Sequence, residues 1–243
     1  HGVIDASLAL CYSCNYFFYE LGYLMNEEMP IETCKSLGLG VPSGIELVEK
    51  TGKLNTKEQK KAVYGTGVNA NFYAGDRVLG AIGQGENRFT PMQLCVYTST
   101  LANRGTRYKA TFLNRVVSSD YTKLEYVNEP VIVNQFQISD DAYYAYTTGM
   151  REVALTGTAR SILKNYPIAV AAKTGTAETD SGGSDNGAFV CYAPYDDPQI
   201  AIVVYGEKAG HGRTMGQIAK ALLDTYFQDE LVGDRLPGEN ELG

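Results

Sequence analysis

The strongest constraint on the fold is a change of character near residue 168. Residues 168–176, 188–192 and 200–205 are apolar runs rich in strand-forming side chains. Turn chemistry separates them: residues 180–187 carry three glycines, and Pro194-Tyr195-Asp196-Asp197-Pro198 precedes the last run. Runs this short and this closely spaced predict a three-stranded antiparallel meander. A helix is expected over 214–228, with Met215, Ile218, Ala219, Leu222 and Phe227 on one stripe. Upstream of the change, the pattern is helical. The fold class is therefore α+β: helices, then three antiparallel strands, then a C-terminal helix. Three strands and one helix leave apolar area and a strand edge uncovered. Further strands are expected from another chain or from an N-terminal part of the same protein.

Residues 5–25 read as two helical pieces around a break at Ser13-Cys14-Asn15. Residues 37–55 are Gly-rich and hold Pro42, which predicts loop and turns. A helix over 91–103 follows Thr90 as N-cap, with Pro91 in its first turn. Another spans 139–156 behind Ser139-Asp140-Asp141, and a short one starts at Thr158 and stops before Pro167. No Pro- or Ser-rich linker divides the chain, and 243 residues fit one large domain or one and a half. Residues 233–243 form a polar tail expected to fray.

Several function classes fall away. A net charge of −7, with no basic cluster denser than Lys57-Glu58-Gln59-Lys60-Lys61, excludes a nucleic-acid-binding face. No run nears the ~18 apolar residues of a membrane span. His1 and His211 do not sit at metal-ligand spacings, so neither metal nor cofactor is expected. Five cysteines argue against a closed disulfide framework. Cys11-Tyr12-Ser13-Cys14 matches a redox or zinc CxxC, but it reads better as small buried thiols on a helix. The loops Gly38-Leu39-Gly40 and Gly80-Ala81-Ile82-Gly83-Gln84-Gly85 lack the strand-before, helix-after context of a nucleotide site.

The segment carrying most chemistry is Lys173-Thr174-Gly175-Thr176. On a strand, Lys173 and Gly175 face one side and Thr174 and Thr176 the other. Gly175 lets a ligand backbone lie against the strand. The ammonium offers charge to an anion or a developing oxyanion, and such an edge binds a peptide by adding it to the sheet. The competing reading is an edge strand guarded by a charge. Ser13 and Asn15, about 160 positions earlier, would ordinarily be helix caps.

Taken together and in this order, Ser13-Cys14-Asn15 and Lys173-Thr174-Gly175 resemble the second and third motifs of penicillin-recognising serine acyl-transferases. The approach from His1 to Phe18 is similar to that of class B penicillin-binding proteins. So are Leu37-Gly38-Leu39-Gly40 with Ser43-Gly44-Ile45, Gly83-Gln84-Gly85 with Thr90-Pro91-Met92-Gln93, and Gly157-Thr158-Ala159. The resemblance covers residues 1 to about 225. It implies an incomplete transpeptidase domain over 1–232, the C-terminal part of the fold shared with serine β-lactamases. The family's Ser-x-x-Lys nucleophile motif is expected ahead of Ser13, so the chain is expected to be a fragment, inactive alone. Ser161-Ile162-Leu163-Lys164 and Ser184-Asp185-Asn186 match family motifs literally but out of order, and they read as a helix face and a turn.

By resemblance, Ser13 relays a proton to the leaving nitrogen and Asn15 holds the substrate amide. Lys173 supplies positive potential and orients Ser13. Thr174 and Thr176 flank the substrate carboxylate, Gly175 leaves room for the peptide, and the Thr176 amide gives half of an oxyanion hole. The implied partners are a peptidoglycan stem peptide ending in D-Ala-D-Ala, β-lactam antibiotics and an N-terminal part of the same protein. The implied place is the extracytoplasmic face of a bacterial cell membrane. A D,D-carboxypeptidase and a non-catalytic penicillin-binding sensor remain open alternatives.

Overall fold

A computed structural model describes residues 1–26, 28–178 and 184–228. Helices α1 (Ala6–Cys11), α2 (Asn15–Leu24), α3 (Glu28–Ser36), α4 (Lys57–Tyr64), α5 (Ala74–Ala81) and α6 (Pro91–Ala102) come first. Four short strands follow: β1 (Thr106–Tyr108), β2 (Arg115–Val117), β3 (Leu124–Val127) and β4 (Ile132–Gln135). Then come α7 (Asp140–Leu155), α8 (Arg160–Leu163), β5 (Ala171–Ala177), β6 (Asn186–Ala193), β7 (Ile200–Gly206) and α9 (Gly212–Tyr226). The α+β order expected from the sequence is present. The polar tail lies outside the described residues, as do residues 179–183.

Strands β5, β6 and β7 form the expected antiparallel meander in the order β5-β6-β7. Alternation sorts their side chains onto two faces. Ala172, Phe189, Cys191, Ile202 and Val204 pack with α8 and with Met215, Ala219 and Leu223 of α9 in the main core. Ala171 and Tyr192 turn to the other face, against Met150 of α7.

Three details correct the sequence reading. The sequence pattern starts the first β run at Ile168, but β5 starts at Ala171. The carbonyls before it are taken elsewhere: Tyr195 N–H donates to Ala169 O (2.7 Å), and Arg151 Nη1 donates to Val170 O (3.0 Å). On α9, Ile218 and Leu222 are exposed, while Met215, Ala219, Leu223 and Phe227 are buried. The true stripe runs at i+4 steps, where Gly216 lets the helix settle onto Phe189. Residues 106–135, which carry no clear pattern in the sequence, hold two antiparallel pairs, β1 with β4 and β2 with β3. Their strands are three or four residues long and mostly exposed, so no in-out alternation marks them.

Helix α7 fixes the geometry that matters for function. Ser139 caps it by accepting from Ala142 N–H (3.3 Å), and Asp140 and Asp141 favour the positive end of its dipole. One side of α7 carries α1. At Gly149 a Cβ would meet Leu10 Cβ at 2.8 Å, so only glycine permits this approach, and Ser7 Oγ donates to Ala145 O (2.9 Å). The next turn of the chain repeats the device: a Cβ on Gly157 would collide with the Cys11 carbonyl and lie 3.0 Å from its Sγ. The other side of α7 packs on β5. One rigid helix therefore sets the distance between the end of α1 and the strand that carries Lys173.

The N-terminus of α9 is equally close-fitted. A Cβ on Gly212 would fall on the carbonyl oxygens of Gly175 and Ala188. Gly212→Ala is expected to cost about 3 kcal/mol and to lower the melting temperature by roughly 5–10 °C. An unchanged thermal melt would contradict this packing.

Candidate active site

Helix α1 ends in a Schellman turn. Cys14 N–H donates to Ala9 O (2.9 Å), and Ser13 N–H donates to Leu10 O (3.2 Å). The residue at the left-handed position is usually glycine, but here it is Ser13, with φ of 51°. A side chain there costs about 1–2 kcal/mol. Such strain persists where the surroundings fix it, and it marks sites of function. Ser13 does not cap a helix. Cys14 is the N-cap of α2 and makes no side-chain cap bond. The Ser13 hydroxyl instead accepts from Lys173 Nζ at 2.9 Å, across 160 positions of sequence. Asn15 opens α2 with its side chain exposed beside the same turn.

Lys173 also donates to its neighbour's carbonyl, Thr174 O, at 2.8 Å. Burial of the ammonium pulls its pKa from the usual lysine value down to about 8. The cation is thus held by two neutral oxygens at the junction of α1, α2 and β5.

The backbone of β5 completes the picture. Thr174 O accepts from Lys173 Nζ, and Thr176 O accepts from Gln84 Nε2 (3.3 Å), both donors being side chains and not ladder amides. In an antiparallel ladder, a residue points its N–H and C=O to the same side. Thr174 and Thr176 therefore direct their amides to the free edge of β5, away from β6. Their side chains share the α9 face. Thr174 Oγ1 lies 2.8 Å from Thr158 Oγ1, and Thr176 Oγ1 accepts from Gly212 N–H (3.3 Å). Gly175, between them, is exposed on the opposite face with Lys173.

Gln84 belongs to the loop facing this edge. Asn55 holds that loop: its Nδ2 donates to Asp76 O (2.7 Å), and its Oδ1 accepts from Glu86 N–H (3.0 Å). Gly85 lies so close that a Cβ would be 2.8 Å from Asn55 Oδ1. The Gly83-Gln84-Gly85 pattern is visible in sequence, but its contact with β5 is not. Gln93 proves structural. Fully buried, it donates to Val41 O (2.9 Å) and Thr51 O (2.6 Å), tying the 37–55 loop to α6.

The structure thus brings Ser13 onto Lys173, with Thr174, Gly175 and Thr176 following on the same strand and Asn15 exposed beside Ser13. The decoys fall outside this group. Ser161 and Lys164 are exposed on the α8 turn. Ser184 is exposed, and Asn186 opens β6, accepting from Lys208 N–H (2.9 Å). Cys11 and Cys14 are free, buried thiols. A cavity of about 320 Å³ lies elsewhere, bordered by Tyr108, Phe112, Asn128 and Val131. Among the described residues no cluster of side chains is suited to a metal ion. No helix is long and apolar enough to cross a membrane, again among the described residues.

The description "Penicillin binding protein transpeptidase domain" fits residues 1–225. The chain belongs to the penicillin-binding protein transpeptidase family. The peptidoglycan D,D-transpeptidase MrdA of Haemophilus influenzae is 29% identical over 252 residues, which cover 95% of this chain and 37% of that protein. Penicillin-binding protein 2A of Bacillus subtilis is 29% identical over 93% of this chain and 34% of its own length. The chain therefore spans little more than a third of these curated relatives. In fold, it matches PBP2 of Pseudomonas aeruginosa, solved in complex with WCK 5153, with a TM-score of 0.80 at 22% identity. That match covers 98% of this chain and 52% of the other. The three-stranded antiparallel meander and the helix α9 are part of this fold match.

Gly175 separates structure from function. Its φ is not in the left-handed region, and a Cβ there would make ordinary contacts, 3.5 Å from Ala188 Cβ and 3.9 Å from Ala188 O. The fold does not require glycine here. Gly175→Ala is expected to leave the melting temperature unchanged or slightly raised. If a ligand passes over this position, the same change in the protein that carries these residues behind a Ser-x-x-Lys motif is expected to slow acylation by a penicillin at least about ten-fold. Equal acylation rates for the two proteins would contradict a ligand path over Gly175.

Proposed function

We propose that this chain supplies two of the three walls of a peptidoglycan D,D-transpeptidase site, working on the extracytoplasmic face of a bacterial cell membrane. The observation that carries the reading is the Lys173–Ser13 hydrogen bond, which unites the Ser-x-Asn and Lys-Thr-Gly motifs around a strand edge with outward-facing amides. The nucleophile is a serine in a Ser-x-x-Lys motif ahead of these residues in the protein that carries them. The substrate is a stem peptide ending in D-Ala-D-Ala, and β-lactams compete for the same place.

In this reading the peptide lies along the free edge of β5 as an added strand. The nucleophilic Oγ gives its proton to the lysine of the Ser-x-x-Lys motif as it attacks the carbonyl carbon of the penultimate D-Ala, and the negative charge moves onto the carbonyl oxygen. The Thr176 N–H faces that oxygen and gives one donor of the oxyanion hole. As the tetrahedral intermediate collapses, the C–N bond to the terminal D-Ala breaks. Its nitrogen takes the Ser13 hydroxyl proton, which is replaced by the proton the Ser-x-x-Lys lysine took from the nucleophile, leaving an ester on the nucleophile. An amine of a second stem peptide then attacks the ester carbonyl. The new amide forms, and the nucleophile's oxygen takes back a proton as it departs.

Lys173 serves the proton step without giving up its own proton. Nζ donates to Ser13 Oγ, so it fixes the hydroxyl's lone pair and leaves the hydroxyl hydrogen turned toward the leaving nitrogen. Its charge also favours the anionic ends of the substrate. Asn15, exposed beside Ser13, has both a donor and an acceptor for the peptide amide. Thr174 and Thr176 donate to the terminal carboxylate.

The test is to treat the protein carrying these residues behind a Ser-x-x-Lys motif with a penicillin and to map the adduct. One acyl group per chain is expected, on the serine of that motif. An adduct on Ser161, or on any residue of 1–243, would overturn the assignment of the nucleophile. No adduct at all would overturn the enzymatic reading.

A further inference from the structure

The transpeptidase reading leaves Thr158 without a role, and any role at this site presupposes that reading. Thr158 sits in the turn between α7 and α8, and its hydroxyl lies 2.8 Å from that of Thr174. We propose that Thr158 is a positioning residue, holding the Thr174 hydroxyl as a hydrogen-bond donor toward the carboxylate of the bound peptide.

The two threonines of β5 need the same thing by different means. A hydroxyl has one hydrogen to give, and a carboxylate only accepts. At Thr176 the partner is the Gly212 N–H, which can only donate, so the Thr176 hydrogen is left for a ligand. At Thr174 the partner is another hydroxyl, and either oxygen can be the donor. Only when Thr158 donates does Thr174 keep its hydrogen for the carboxylate. A carboxylate in place therefore selects that direction, and the chain Thr158–Thr174–carboxylate strengthens along its length.

The turn is built to hold Thr158 still. Gly157 N–H donates to Glu152 O (2.8 Å), Ala159 N–H to Val153 O (3.0 Å), and Arg160 N–H to Gly157 O (3.2 Å). Gly157 rests against Cys11 at the end of α1, two residues before Ser13. Thr156 Oγ1 lies 3.4 Å from Cys11 Sγ and donates to Glu152 Oε2 (2.8 Å). One short turn thus touches the segment that holds Ser13 and the side chain of Thr174. Thr158 itself faces Thr174, so its effect passes through that hydroxyl.

The test uses the protein with its Ser-x-x-Lys motif and two ligands, a penicillin with its free carboxylate and the same penicillin as its methyl ester. In Thr158→Val the acylation rate with the free acid is expected to fall about five-fold, the worth of one neutral hydrogen bond. The rate with the ester is expected to hold, so the preference for the acid shrinks by the same factor. Thr158→Ser, which keeps the hydroxyl, is expected to restore the preference. A merely structural threonine would slow both ligands alike, and that result overturns the proposal, as does a Val variant with unchanged preference. Thr174→Val separates the role of Thr174 from that of Thr158. If it leaves the acid preference intact, the carboxylate role of Thr174 fails and the role of Thr158 falls with it. If Thr174→Val removes the preference and Thr158→Val does not, only the role of Thr158 falls.

Discussion

Everything in the site depends on one buried ammonium between two parts of the chain. Lys173 Nζ reaches Ser13 Oγ at 2.9 Å and Thr174 O at 2.8 Å. A lysine so placed loses hydration, which lowers its pKa to about 8. Two neutral oxygens do not cancel the cost. The arrangement is stable because other contacts fix the partners. Gly149 and Gly157 bring α1 onto α7, and α7 packs against β5 and gives Arg151 to Val170 O. The strained backbone at Ser13 belongs to the same arrangement, since a left-handed residue at the helix end turns its side chain toward the strand.

The second constraint is the edge of β5. An unpaired strand edge is ordinarily a liability. Here it is partly occupied: Lys173 and Gln84 donate to the carbonyls of Thr174 and Thr176. The α9 side is closed by glycine. Gly212 and Gly187 let the helix start lie directly on the strands, where its first N–H meets the Thr176 hydroxyl. The edge is therefore a shaped surface, with amides pointing outward, hydroxyls on one face, and an ammonium and a bare glycine on the other.

Much of this is legible in sequence because it rests on local rules. Thr90-Pro91 and Ser139-Asp140-Asp141 announce their helices by capping chemistry, and the structure starts α6 and α7 at those places. The period of two in β5 correctly divides Lys173 and Gly175 from Thr174 and Thr176. What stays hidden depends on long-range approach. Thr158 and Gln84 stand out only as parts of family-like motifs, and nothing in their spacing says that they meet Thr174 and Thr176. Gly212 gives no signal, because its significance is the absence of a Cβ against carbonyls of two strands. The short strands of 106–135 escape a sequence reading because strands of that length, lying mostly exposed, carry no alternation. Ile218 and Leu222 mislead the reading of α9 because apolar residues beside a stripe look like part of it.

The central claim is that Lys173 is a desolvated cation held by Ser13. It is tested most directly by following the lysine Cε resonances through a pH titration, with Lys173→Met identifying the signal. Lys173 is expected to titrate at about 8, well below the usual lysine value. Ser13→Ala should move it lower still, since that change removes an oxygen that favours the charged form. A Lys173 signal titrating at the usual lysine value, about 10.4, and indifferent to Ser13→Ala, would contradict that claim.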